Sequence, residues 1–142
     1  MSELIVQECP RNDVRRVFKE AAKDGVVSVT KPQMKPNRWV GAFDRRPGIY
    51  EPVGCSLIFQ VGVNQWRLAG AWVAPQFRGC GIWRQMLDLR MQMIVAECAG
   101  RPDVPVVVDA FVRPSIKDAY VRRGFLVIRE FQGSAHVRKV LR

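Results

Sequence analysis

The apolar run Leu4-Ile5-Val6 within residues 3–9 predicts a first strand, and Pro10-Arg11-Asn12-Asp13 ends it. Val14, Val17, Phe18 and Ala21 then recur at i, i+3, i+4 and i+7, the stripe of a helix with one face in a core. Asn12 or Asp13 is placed to cap that helix and Gly25 to stop it. Residues 26–30 are mostly β-branched and read as a short strand or the end of a second short helix; residues 31–38, with Pro32 and Pro36, read as loop. Three apolar runs follow, at residues 39–43, 53–62 and 66–73, separated by polar turns, and they predict an antiparallel meander.

Pro75 ends the third run, because it cannot donate to a ladder. A helical period opens at Ile82 and continues to about residue 99. Met86, Leu89, Met93 and Ala96 share one face, which Trp83, Leu87 and Ile94 widen; the methionines read as adaptable core filling. Gly100 and Pro102 end the helix, and residues 104–112 form a near-continuous valine-rich run typical of a strand buried on both faces. Strand, glycine loop, helix and strand make a βαβ unit, so the two strands are expected to be parallel with a right-handed connection. Pro114 starts a last helix carrying Ile116, Ala119 and Tyr120, and Gly124 stops it. A strand begins at residues 125–128, residues 132–134 turn, and residues 135–141 return. The pattern gives an α/β (α+β) fold: a mixed, mostly antiparallel central sheet, helices on both sides, and one parallel βαβ unit.

A chain of 142 residues suits one domain, residues 1–142, with one core. Its hydrophobic fraction of 48% and charged fraction of 25% are globular values, and no apolar run approaches the roughly 18 residues of a membrane span. The N-terminus lacks a basic segment leading into an apolar one, so no signal peptide is expected. Cys9, Cys55, Cys80 and Cys98 are widely spaced without a Cys-x-x-Cys pair; a metal site is not expected, and reduced thiols in a cytoplasm are. With 23 basic and 13 acidic residues the net charge is +10, which favours an acidic partner such as a polyphosphate cofactor or nucleic acid. The basic residues are spread along the chain, which also fits a plain solvated basic surface.

The chemistry concentrates at Val73-Ala-Pro-Gln-Phe-Arg-Gly-Cys-Gly-Ile-Trp83. Gly79 and Gly81 allow backbone conformations closed to other residues and a close approach to the main chain. The unpaired N–H groups of the following helix turn point into the loop, its dipole favours an anion, and Arg78 adds charge. This is a phosphate or diphosphate cradle in sequence; a simple turn is the bland alternative.

Gln76-Phe77-Arg78-Gly79-Cys80-Gly81 resembles the Gln/Arg-x-x-Gly-x-Gly/Ala signature of the GNAT (Gcn5-related) N-acetyltransferases, and Tyr120-Val121-Arg122-Arg123-Gly124-Phe125 is similar to that family's Tyr-x-x-x-Gly-Phe segment. The resemblance covers about residues 53–131; the first fifty residues fit in outline. It implies acetyl-CoA, or another acyl-CoA, as co-substrate, its diphosphate held by main-chain N–H groups around Arg78, Gly79, Gly81 and Ile82 beside Gln76. It implies an acyl group between residues 71–73 and 109–111, with the Val73 N–H polarising the thioester carbonyl. Tyr120 matches the family's general acid, a phenol that stays protonated at neutral pH and can reprotonate the leaving thiolate; packing against the sheet is its bland role.

The general base is less plain. Relatives place a Glu on the strand before the loop, and residues 68–75 carry no acid. Asp109 is the best remaining carboxylate, with Glu51, Asp44 or a water chain as alternatives, and Asp109 tying down a loop as the competing reading. His136 reads as structural or exposed, and Cys80 as a backbone contributor only. Arg113 stands where the family often has Asn, and is expected to reach the cofactor phosphate or an acidic acceptor.

Trp39, Phe43 and Tyr50 fall where relatives build the acceptor pocket, with Trp66 and several arginines interleaved. Core aromatics with a solvated basic face would look the same, so the acceptor stays open between a small amine, a peptide and nucleic acid. Phage Mom-type enzymes, GNAT-like proteins that modify adenine in DNA, are one nucleic-acid alternative; a binding module without turnover is another. A homodimer is left open.

Overall fold

The computed structural model describes residues 3–26 and 38–141. Residues 27–37, expected to hold a strand or helix end and then a proline loop, lie outside the described residues. The chain runs β1 (Leu4–Cys9), α1 (Arg15–Lys23), β2 (Arg38–Asp44), β3 (Glu51–Gly62), β4 (Gln65–Val73), α2 (Ile82–Glu97), β5 (Val107–Val112), α3 (Pro114–Val121), β6 (Leu126–Phe131) and β7 (Ser134–Val140). The strands form one sheet in the order β1-β2-β3-β4-β5-β7-β6. β2 to β4 make the expected antiparallel meander, β1 adds to it antiparallel against β2, β4 and β5 pair in parallel, and β7 returns antiparallel between β5 and β6.

The sheet separates two cores. Met86, Leu87 and Ile94 of α2 and Tyr120 of α3 pack with Ile58, Leu68, Val108 and Ala110 on one face. Val17 and Ala21 of α1 pack with Phe43, Leu57, Phe59 and Trp72 on the other. The alternation Leu57, Ile58, Phe59 delivers β3 side chains to both, as a period of two requires.

Boundaries shift where local chemistry overrides pattern. A 3-10 turn at Arg11–Val14 precedes α1; Pro10 and Val14 hold the two cap positions, and neither Asn12 nor Asp13 caps the helix. β5 starts at Val107 rather than residue 104, because Pro105 has no N–H to give a ladder. Val107 N–H instead donates to the Asn64 carbonyl, and Leu141 N–H to Val106. Pro75 opens a second 3-10 turn, Pro75–Phe77, before the glycine loop. On α2 the buried stripe is Ile82, Met86, Leu87, Arg90, Met93 and Ile94; the expected Leu89 is only partly buried and Ala96 is exposed.

β4 carries a bulge. Cys55 pairs with Trp72 and Leu57 with Ala69, so β4 spends one residue more than β3 between them. Gly70 lies there at φ +64°, a conformation that favours glycine. The β4–β5 ladder spans Gln65 to Leu68 against Val107 to Ala110 and goes no further. Beyond it, residues 69–73 and 111–112 have no partner across the gap, and the two strands part.

Candidate functional site

The gap between β4 and β5 opens toward the loop that joins β4 to α2. Ala74 N–H donates to Val53, Phe77 N–H to Ala74 and Arg78 N–H to Pro75. Among the described residues, the N–H groups of residues 79–84 donate to no backbone carbonyl. Gly79 and Gly81 adopt φ +84° and +78°, and an added Cβ at either would meet nothing within 4 Å. The loop is therefore an open concavity rimmed by main-chain donors at the positive end of a 16-residue helix. Ile82 buries its side chain beneath the loop while its N–H remains at the rim; Gln76 is exposed on the preceding turn. Val73 is buried at the end of β4.

Two arginines expected at the cofactor turn back onto the protein. Arg78 Nε donates to the Val73 carbonyl at 2.9 Å, and its Nη2 lies 3.7 Å from Asp24 Oδ2. Arg113 Nη2 donates to the Asp24 carbonyl at 2.8 Å. Trp72 Nε1–H donates to Asp24 Oδ2 at 2.8 Å. Asp24, just past α1, thus gathers the tip of β4, the glycine loop and the β5–α3 junction.

Tyr120 is buried on α3, edge-on to Trp83 (5.2 Å between centroids) and to Phe125 (5.2 Å). The Trp83 Nε1–H is buried without a hydrogen-bond partner. Arg90 is fully buried on α2. Its Nε donates to the Met86 carbonyl at 3.3 Å, but neither Nη makes a hydrogen bond. Burial pulls its pKa down from the ordinary guanidinium value; nearby Tyr120 and Cys55 offset only part of that.

Asp109 is committed elsewhere. Arg67 grips it with Nε at 2.8 Å and Nη2 at 3.1 Å, and His136 Nε2 lies 3.0 Å from its Oδ2. Burial works to raise its pKa, but the hydrogen bonds from Arg67 and His136 outweigh it and the net direction is down. A carboxylate held this way is a poor proton acceptor, so the geometry favours Asp109 as a strut tying β4, β5 and β7 together rather than as the base. Asp44 is held by Arg46 and Glu51 lies in reach of Arg16.

The expected acceptor aromatics divide. Trp39 is a core side chain, edge-on to Phe18 at 5.0 Å, and Phe43 is fully buried. Tyr50 stacks on Phe43 at 5.3 Å and is the one of the three left exposed, under the Arg45 guanidinium. A second set, missed in the sequence, lies on the face of β5, β6 and β7 beyond α1. Phe111, 52% exposed, stacks on His136 at 4.5 Å and carries Arg67 over its ring at 4.9 Å. Phe131, 42% exposed, carries Arg129 at 4.9 Å.

No family model and no curated protein sequence matches the chain. Solved structures do. Escherichia coli ElaA superposes with a TM-score of 0.69 at 13% identity, over 98% of this chain and 99% of that one. Ard1 from Thermoplasma volcanium gives 0.70 at 12% identity, over 98% of each chain. An acetyltransferase of the GNAT family from Staphylococcus aureus gives 0.68 at 12% identity, over 99% and 100%. This chain has the GNAT fold. At such identity the GNAT likeness lies in the backbone path, and the side chains of the site are this chain's own.

Three residues of this region escaped the sequence. Asp24 followed a helix stripe and gave no local signal of its distant partners. Gly70 was the visible mark of the bulge but reads equally as a small strand residue. Arg90 broke the apolar stripe of α2, and a charged residue there is ordinarily assigned to the solvent side.

Proposed function

We propose that this protein is an acyl-CoA-dependent N-acyltransferase acting by direct attack of an amine on the thioester. One observation carries the reading: the unpaired amides of residues 79–84 rim an open cradle at the mouth of the β4–β5 gap. A diphosphate on that rim would lie at the N-terminus of α2, where both hydrogen bonding and the dipole favour it. The attached thioester arm would then run into the gap, past the free strand edge of residues 71–73. The Val73 N–H is the proposed donor to the thioester carbonyl. The nitrogen lone pair attacks that carbon, the C–S bond breaks, and the thiolate takes a proton from Tyr120. With Asp109 held by Arg67, the amine's proton passes to water. Arg78 and Arg113 would reach the cofactor only by releasing Asp24. Residues 1–142 act as a single unit in this reading.

The test is direct. CoA and acetyl-CoA are expected to raise the melting temperature of the full chain, and Gly81→Ala to reduce that rise, since an L side chain at positive φ is strained by about 1–2 kcal/mol and distorts the rim. Tyr120→Phe is expected to lower kcat for acyl transfer by about 10²–10⁴-fold with little effect on CoA binding. No thermal shift with CoA would end the proposal; a shift without transfer to any amine pool would leave a binding module.

A second reading concerns the acceptor. Exposed Phe111 and Phe131, each under an arginine, offer stacking faces with positive charge beside them, as single-stranded nucleic acid requires. The Mom-type alternative belongs to this reading. Binding of single-stranded DNA or RNA that weakens steeply with salt and fails in Phe111→Ala would support it, as would altered nucleoside masses in expressing cells.

A further inference from the structure

A positive charge already occupies a built position at the mouth of the gap. Ala74 N–H donates to the Val53 carbonyl of β3. Successive residues of a strand turn their polar groups to opposite sides, so the N–H and C=O of Val73 face the gap. The Arg78 guanidinium sits on that carbonyl, with Nε at 2.9 Å. Its Nη2 lies 3.7 Å from Asp24 Oδ2, and its Cζ 5.9 Å from the centre of the Trp72 ring. A main-chain carbonyl, a carboxylate and an indole together suit an organic cation. Trp72 Nε1–H holds the carboxylate at 2.8 Å, and Arg113 binds the Asp24 main-chain carbonyl, so the position does not need Arg78 for its shape. The occupant is loosely held. The Arg78 and Asp24 side chains are 54% and 51% exposed, and an ion pair so exposed is weak. Arg78 also directly precedes the unpaired N–H rim of residues 79–84. A diphosphate on that rim offers the guanidinium a more highly charged partner with oxygens that match its fork.

We propose that Asp24, the Trp72 indole and the Val73 carbonyl form a subsite for a positive charge on the acceptor, filled by Arg78 in the free protein and vacated when acyl-CoA draws Arg78 onto the loop. The acceptor is then a diamine or polyamine. The attacking nitrogen must be neutral, whereas an alkyl ammonium titrates at about 10.4. The charge in the subsite therefore belongs to a second nitrogen of the same molecule, which keeps its proton while the neutral one attacks the thioester. Acyl-CoA binds first and the acceptor second, because Arg78 and the acceptor's charge claim one position. The acceptor class rests on the thioester reading; the cation subsite stands on its own contacts.

Calorimetric titration of the full chain with putrescine, with and without saturating CoA, tests the subsite. Putrescine is expected to bind at least about five-fold more tightly to the CoA-loaded protein than to the free one. Arg78→Met without CoA is expected to match the CoA-loaded parent. Asp24→Asn, which keeps an acceptor for the Trp72 N–H, is expected to lose the binding in both states. With acetyl-CoA as donor, kcat/KM for putrescine is expected to exceed that for butylamine by about ten-fold or more, and to fall to the butylamine value in Asp24→Asn. Putrescine binding that ignores CoA, or that persists in Asp24→Asn, overturns the subsite and leaves the loop assignment intact. Equal kcat/KM for the two amines in the parent overturns the acceptor class. Failure of CoA itself to bind removes the loop assignment, and Arg78→Met, which needs no CoA, then decides the subsite alone.

Discussion

Asp109 illustrates how one residue's surroundings decide its role. Taken alone it is a carboxylate on a strand beside the reactive gap. Placed between Arg67 and His136 it becomes a joint across three strands. Loss of that joint in Asp109→Asn is expected to lower stability at pH 7 by about 1.5–3 kcal/mol, the range for hydrogen bonds to a charged group. The fold holds the Asp109 pKa below its ordinary value. Its contribution is therefore complete above the unfolded carboxyl pKa of about 3.9 and fades as pH falls through the lower, folded value. Chemical denaturation at a series of pH values should show the deficit of Asp109→Asn shrinking below about pH 4. A deficit that persists unchanged into acid would mean that the charge of Asp109 is not what matters.

Among the elements, α1 has the least expected part. Its stripe was plain in the sequence, since Val14, Val17 and Ala21 are all buried as the 3.6-residue period requires. What the stripe could not announce is the residue just past it. Asp24 accepts from Trp72 and Arg113, which are 48 and 89 residues away. Contacts at such separation leave no local pattern. Asp24→Ala is expected to cost about 1–2 kcal/mol, chiefly by leaving the buried Trp72 N–H without an acceptor. Thermal melts in which the variant matches the parent would show that water replaces the carboxylate. Helix α2 was legible for the opposite reason: glycines before it and the proline on β4's end are local punctuation, and both act where they stand.

At the level of the whole molecule, the meander and the one parallel βαβ unit were legible in short turns and local periods, whereas the insertion of β7 between β5 and β6 was not, because no local pattern records which strand a returning strand will pair. The site was legible only along its main chain. Gly79, Gly81 and the start of α2 declare themselves, while the acceptor side does not. Trp39 and Phe43 are aromatic for packing, and Phe111 and Phe131 are aromatic at the surface; composition cannot tell these apart. The net charge of +10 adds a testable consequence. If nucleic acid is the acceptor, the logarithm of its affinity should fall linearly with the logarithm of salt concentration, with a slope of about −0.7 per neutralised phosphate on a single strand. A flat salt dependence would assign the charge to solubility alone.

The extra residue in β4 also sets the phase of everything after it. Leu68 and Val73 are an odd number of positions apart, yet both belong to the core under α2. Trp72, an even number from Leu68, belongs to the core under α1. The strand changes parity once, at the glycine. Excising Ala71 would restore strict alternation with the indole still toward α1 and the valine still toward α2, because Trp72 would then stand three positions from Leu68 and Val73 four. A single-residue deletion at this point is thus a different perturbation from any substitution: it would keep both interiors' contents and take out only the bulge, so a chain carrying it should still fold while its β4 runs straight where the native strand bends away.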